Sequence, residues 1–252
     1  KSLNLKKLIA TCYPDNYKLV VNAEDDIKKW ESKVISIKNG DFRSEECVEL
    51  LKEADIVITN PPFSLFREYV LQIIEHNKKF IIIGNVNAIT YKEIFPLIKE
   101  NKMWMGVSIH SGDREFMVPD DYPLEAANYR VDEFGQKYIR VKGVRWWTNL
   151  DYEKRHEILL LDKKYDSNIY PKYDNYDAIN VNRTKDIPYD YCGVMGVPIT
   201  FLDKYNPEQF ELLGIMNTGE KNMGIRHQNA PHGRPLVNGK EMYLRILIRK
   251  VK

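Results

Sequence analysis

Four consecutive residues, Asn60-Pro61-Pro62-Phe63, carry the most specific chemistry in the chain. Two prolines fix φ and force a stiff, extended turn. Pro61 has no N–H, but its carbonyl accepts, and the Asn60 side-chain oxygen is a second acceptor. Together they can grip one planar NH2 group, each taking one hydrogen, while Phe63 stacks on the ring that carries the amine. An exocyclic amine on such a ring is a poor nucleophile, because its lone pair is delocalised. Two acceptors on its hydrogens favour a more pyramidal, electron-rich nitrogen that can attack a sulfonium methyl in line. Positioning and electrostatics would carry the rate, with no metal and no covalent enzyme intermediate. The plainer alternative is a turn that ends a strand, since Asn-Pro is common in turns. An apolar run before the loop, an aromatic directly after it and a helix-capping serine next favour the chemical reading.

The elements around this loop must hold it at a ligand-binding edge. Leu5 to Cys12 reads as a strand, with shorter candidates at Tyr17 to Val21 and Val34 to Ile37. Ser44 opens a helix as an N-cap, with Glu45 and Glu46 at its positive end. Asp55 to Thr59 suits a strand buried on both faces. Ser64 is expected to cap a helix through His76, and Phe80 to Gly84 to form the next strand. Thr90 is expected to cap a helix to about Glu100, followed by a strand from Met103 to Ile109. This alternation predicts an α/β fold: a Rossmann-like, mostly parallel sheet with helices on both faces and a C-terminal elaboration. In such a sheet ligands bind at the carboxyl ends of strands, where Gly40-Asp41-Phe42 and Asn60 to Phe63 both fall.

After about Ser111 the pattern changes. Strands are expected at Gly143 to Trp147, His156 to Leu161, Phe210 to Met216 and Met242 to Arg249, with a long ordered loop from Tyr165 to Asp190. The expected division is 1–111 as the core and 112–252 as its continuation, which also shapes the substrate cleft. Of the adjacent Trp146 and Trp147, one should be core and the other can line the cleft, because neighbours on a strand face opposite ways. Thr148 and Asn149 follow them as candidate substrate contacts.

The 252 residues, 43% hydrophobic and 29% charged, describe an ordinary globular chain able to bury a sizeable core. No apolar stretch approaches the roughly 20 residues needed to cross a bilayer, and no signal-peptide pattern is present. A cytoplasmic protein without a membrane partner is the expectation. Cys12, Cys47 and Cys192 include no pair with metal-ligand spacing, so no metal is expected, and their odd count argues against a disulfide framework. The net charge of +2 calls for no particular partner, but Lys221 to Lys252 holds eight basic residues against one acidic. Such an excess can neutralise phosphates. Arg226, His227 and Arg234, in a polar loop with glycines, are candidate contacts to phosphates or base edges. A solvated basic face is the alternative.

The run from Ala54 to Ser64 looks like the catalytic motif of amino-group methyltransferases. A wider set of segments resembles the EcoRI-type adenine-specific DNA methyltransferase family. They are Gly40 to Glu45, Ser64 to Arg67, Ile83 to Asn85, Ala88 to Lys92, Val118 to Tyr122, Val144 to Leu150 and Arg234 to Lys240. Together they extend the resemblance over nearly the whole chain.

The resemblance implies an adenine N6-methyltransferase acting on double-stranded DNA with S-adenosylmethionine, in a restriction-modification or related system. The oligomeric state stays open, with a monomer as the simplest expectation. Asn60, Pro61 and Phe63 match the catalytic loop. Asp41 and Phe42 match the residues that hold the cofactor's adenine, the first accepting from its amino group and the second packing on its ring. Asn60 counts with both sets. For Asp41 the alternative is a simple turn residue after Gly40.

Flipping the target base out of a duplex costs a few kcal/mol, and stacking on an aromatic face returns roughly 1–3 kcal/mol. The resemblance also implies a first strand and loop for the methionine half of the cofactor. Lys1 to Leu8 looks like the approach to the second strand, so that N-terminal part is expected to be missing. Thr11-Cys12-Tyr13 lacks the acidic residue expected for the ribose, for which Asp15 is a substitute. The competing readings are methylation of an RNA amino group or a protein amide, and a catalytically impaired DNA-binding homologue.

Overall fold

A computed structural model describes residues 6–12, 16–22, 33–107, 114–123, 129–216 and 233–251. The chain divides into two units, Lys1–Val57 with Tyr69–Lys79, and Ile58–Glu68 with Phe80–Lys252.

In the first unit, β1 (Lys7–Cys12), β2 (Tyr17–Asn22) and β3 (Lys33–Ser36) form an antiparallel meander. Cys12 pairs with Tyr17, and Tyr17 with Ser36. Helix α1 (Glu45–Glu53) starts where expected, with the Ser44 side chain accepting from the Cys47 N–H at 3.2 Å. Ile37, Cys47, Val70 and Ile73 are buried here. The chain leaves this unit along β4 (Ile56–Thr59). Ile56 and Ile58 are 44% and 65% exposed, so β4 is not covered on both faces. A β-branched run accounts for a strand but says nothing of its cover.

In the second unit a 3-10 turn at Phe63–Leu65 leads into α2 (Phe66–Glu75), which ends in the first unit. Ser64 therefore sits inside that turn rather than capping the helix. Next come β5 (Lys79–Asn85), α3 (Ile94–Lys99) and β6 (Trp104–Met105). Thr90 ends a 3-10 turn capped by Asn85, and its hydroxyl donates to Asn87 O.

The strands β7 (Arg114–Val118), β8 (Tyr129–Val131) and β9 (Lys137–Val141) form a small antiparallel sheet in the order β7-β9-β8. Strand β10 (Val144–Thr148) pairs antiparallel with both β5 and β6. A mixed sheet contains β11 (Ile179–Asn180), β12 (Met195–Pro198), β13 (Phe210–Ile215) and, after a short hairpin, the last strand. That hairpin joins β14 (Leu236–Val237) to β15 (Lys240–Glu241) through Asn238 and Gly239, both at positive φ, the preferred chemistry for a tight turn. The last strand, β16 (Arg245–Lys250), lies antiparallel to both β12 and β13, while β11 and β12 run parallel.

These sheets correct the expected fold. The mostly parallel Rossmann-like sheet with helices on both faces is not what forms: among the described residues the sheets are antiparallel or mixed, and the helices are few. An apolar run has the same pattern in either direction of pairing, so periodicity located strands without orienting them. The link from Cys12 to Tyr17 is a hairpin-length loop. A parallel crossover takes about a dozen residues or more.

A further correction concerns His156 to Leu161. A 3-10 turn at Glu153–His156 is followed by an irregular extended segment in which Ile158 and Leu160 are exposed. Gln209 takes the place of a strand partner, its side chain exchanging two 2.8 Å hydrogen bonds with the Leu159 backbone.

The core of this unit is aromatic and branched: Phe66, Phe80, Ile82, Ile89, Phe95 and Trp147 in one region, Phe201, Phe210, Val197, Ile246 and Ile248 in another. Full burial of each such side chain contributes about 1.5–3 kcal/mol. Among the described residues, no helix is long and apolar enough to cross a membrane.

Candidate active site

The loop at the end of β4 is built by local chemistry. Of Asn60, Pro61, Pro62 and Phe63, only Pro61 is buried; Asn60 and Pro62 are exposed, and Phe63 is 37% exposed. The loop is thus held by one proline ring while its polar and aromatic side chains face outward. Pro62 is at φ −52 and ψ 133, an extended conformation. The Leu65 N–H donates to Pro62 O at 2.9 Å, and the Phe66 N–H to Phe63 O. The turn is therefore closed on the carbonyls of Pro62 and Phe63, not on that of Pro61.

Asp41 and Phe42 belong to the first unit. Asn16, at φ 51, accepts the Ile37 N–H on its carbonyl at 2.9 Å and the Gly40 N–H on its side chain at 2.8 Å, which fixes the approach to Asp41. The Asp41 carboxylate takes Arg43 Nε at 2.8 Å, Arg43 NH2 at 2.7 Å and the Arg43 N–H at 2.9 Å. The Arg43 guanidinium and its backbone N–H hold the Asp41 carboxyl down to about 2, so it is ionised at any working pH. Each carboxylate oxygen has more than one lone-pair direction, so acceptor capacity remains. The Phe42 ring is half-buried, lies 4.5 Å from the Tyr69 ring and carries the Arg43 guanidinium 5.2 Å from its centroid. Gln72 donates to Phe42 O at 3.1 Å. Sequence reasoning missed Arg43, Tyr69 and Gln72 in these roles. The signal for the last two was their spacing of three, which puts both on one helix face.

On β10 the two tryptophans differ in cover. Trp147 is fully buried and Trp146 half-buried. Thr148 is 5% exposed; its hydroxyl donates to Phe80 O at 2.6 Å and accepts from the Leu150 N–H at 3.0 Å. Asn149 is half-buried and its side-chain oxygen accepts the Phe80 N–H at 2.9 Å. Both side chains serve the β5–β10 pair in this structure.

Arg234 is exposed and paired with Glu241 at 2.5 Å, while its carbonyl accepts from Asn175 at 2.7 Å. Arg226 and His227, like Asp15, lie outside the described residues. Part of the C-terminal basic excess is already committed: Arg245 is buried, Arg249 pairs with Glu211 at 2.6 Å, and Lys250 donates to Tyr189 O. Among the described residues, no group of three His, Cys, Asp or Glu is placed to hold a metal ion.

A family model described as "Adenine-specific methyltransferase EcoRI" matches residues 1–251. The chain is 50% identical to the type II methyltransferase M.EcoRI of Escherichia coli, covering 98% of this chain and 78% of that protein. It is 38% identical to the type II methyltransferase M.MgeORF184P of Mycoplasma genitalium, over 98% of this chain and 80% of the relative. With the type II methyltransferase M.MpnI of Mycoplasma pneumoniae it shares 37% identity, over 99% and 80%. No solved structure matches the chain significantly.

Proposed function

The chain belongs to the EcoRI family of adenine-specific methyltransferases, and we propose that the loop from Asn60 to Phe63 is where it holds the target adenine. It is an enzyme of type II DNA methylation, the modifying arm of a restriction-modification system. Family membership favours adenine in DNA over an RNA amine or a protein amide as acceptor.

The observation that carries the proposal is the loop's exposure pattern. Pro61 anchors it, and Asn60 and Phe63 are left facing solvent at a strand end. Asn60 Oδ1 and Pro61 O each accept one hydrogen of the adenine amine, and Phe63 stacks on the base. This weakens conjugation of the nitrogen lone pair with the ring and points it along one line of attack. As the new N–C bond forms, the methyl–sulfur bond would break with its electron pair kept by sulfur as a neutral thioether, and the nitrogen gives one proton to solvent, because neither carbonyl is basic enough to keep it.

S-adenosylmethionine is the proposed methyl donor, supplying a methyl group activated by a sulfonium. Asp41 and Phe42 would hold its adenine. They fit that group: one is a permanently ionised acceptor with spare capacity, the other a half-buried ring backed by Tyr69. The substrate is double-stranded DNA with the base flipped out, and the enzyme acts as a monomer. Trp146 remains a proposed wall of the cleft, and Arg226, His227 and Arg234 proposed DNA contacts. Thr148 and Asn149 are better read as supports of β5 and β10.

The test is Asn60→Ala. Removing one preorganised polar contact to the reacting group should lower turnover by about 100-fold or more, with cofactor affinity changed by less than about twofold. Turnover at the wild-type rate would overturn the proposal.

A further inference from the structure

Gly84 lies in β5, where a Cβ would stand 2.4 Å from Phe66 Cε2, 2.8 Å from Cδ2 and 3.0 Å from Cζ. Its φ is not in the left-handed region, so the position needs glycine for space and not for backbone freedom. The ring it faces cannot easily yield. Phe66 is 1% exposed and packs against Trp147, itself fully buried, with centroids 6.2 Å apart and planes at 57°, and the strand register puts Trp147 on the same sheet face as Gly84. Phe66 also opens α2, and its N–H closes the preceding turn on Phe63 O. Its neighbour Arg67 fixes the same helix start by stacking 5.0 Å over the Tyr91 ring and approaching Glu93 at 3.7 Å. Phe66 is therefore the buried anchor of the segment that carries Asn60 and Phe63.

We infer that Gly84 and Trp147 form a seat for the Phe66 ring which sets the position of the Asn60–Phe63 loop, so that Gly84 is a positioning residue for methyl transfer. The inference rests on the reading of that loop as the site of the target amine. Moving the ring from 2.4 Å to an ordinary contact with an added Cβ takes a displacement of about 1 Å. The Phe66–Phe63 backbone bond passes that displacement to the loop, and a misplacement of about 1 Å can cost about 100-fold in rate.

The experiment measures kcat on DNA at saturating cofactor, cofactor Kd by calorimetry, and Tm, for wild type, Gly84→Ala, Phe66→Ala and the double variant. Assays are run well below the lowest Tm. Gly84→Ala should lower kcat by about 10- to 100-fold, with cofactor Kd within about twofold. In the Phe66→Ala background, where the ring is gone, the same substitution should change kcat by less than about twofold. Wild-type kcat in Gly84→Ala, or an equal fall in both backgrounds, overturns the seat. If Gly84→Ala does not fold, Phe66→Leu is read instead: it loosens the seat without a clash and should lower kcat about 10-fold with cofactor Kd held, and an unchanged kcat overturns the inference. A wild-type protein that does not methylate adenine in DNA defeats the reading of the loop itself. An active wild type with an unaffected Gly84→Ala defeats only the seat.

Discussion

Replacing Thr148 with valine keeps the outline of the side chain and removes only its hydroxyl. That hydroxyl donates to Phe80 O at 2.6 Å and accepts from the Leu150 N–H at 3.0 Å, in a residue 5% exposed. A net hydrogen bond contributes about 1 kcal/mol, and a buried group left unpaired costs about 1–3 kcal/mol. Phe80 is fully buried, so its carbonyl bears most of the penalty. Leu150 is half-buried, and water can take up part of its N–H. The combined loss is about 2–3 kcal/mol. In a chain of this size each kcal/mol shifts Tm by about 2–4 °C, so Tm should fall by at least about 4 °C. Thermal unfolding reads that shift, and DNA affinity measured well below Tm reads the alternative role. Affinity should stay within about twofold, since a core hydroxyl never meets the substrate. A Tm within about 1 °C of wild type, or a tenfold weaker DNA complex from a folded variant, would refute the placement of Thr148 in the core.

Asp41→Ala should weaken S-adenosylmethionine binding by about 10-fold, the worth of one charge-assisted hydrogen bond, and leave DNA affinity near wild type; calorimetry with unchanged cofactor Kd would remove Asp41 from the site. Arg234→Ala should weaken DNA binding and make the salt dependence shallower by about one ion; parallel salt plots for the two proteins would place Arg234 outside the interface. His156 touches Asp151 at 2.9 Å and Glu208 at 3.0 Å, and these carboxylates, Asp151 foremost, raise its pKa above the usual 6.5. The stabilisation is fully present below the unfolded value and is lost as pH rises through the raised folded value. The Tm gap between wild type and His156→Gln should therefore shrink as pH rises from 6.5 through the raised folded value, and a gap independent of pH would contradict the bracketed histidine.

The Asn60–Phe63 loop was legible in the sequence because its chemistry is local: proline rings fix φ wherever they stand, and a strand before them is marked by its apolar run. The same locality located β5, β10 and β13 closely. Pairing direction was not legible in this way, because inward and outward positions repeat identically in parallel and antiparallel strands; short links such as those between β1 and β2 and through Asn238-Gly239 held the clues. Helix starts after the loop were misread because Ser64 and Thr90 are good caps that sit within 3-10 turns instead. Burial on β10 also escaped periodicity. Its pattern is buried on both faces except at Trp146, so Thr148, a candidate substrate contact in the sequence, lies in the core. Arg43 closing on Asp41 is a contact over two residues, visible in principle from the Asp-x-Arg spacing, whereas the approach of Gly84 to Phe66 joins separate elements and follows no spacing rule.

The most direct measurement uses the full-length enzyme with methyl-labelled S-adenosylmethionine and duplex DNA, followed by digestion to nucleosides and mass identification of the labelled one. Wild type should place all label on N6-methyldeoxyadenosine, and Asn60→Ala should label it about 100-fold or more slowly while still binding the cofactor. Label on cytosine, or undiminished labelling of adenine by Asn60→Ala, would contradict the account of how this loop grips its target.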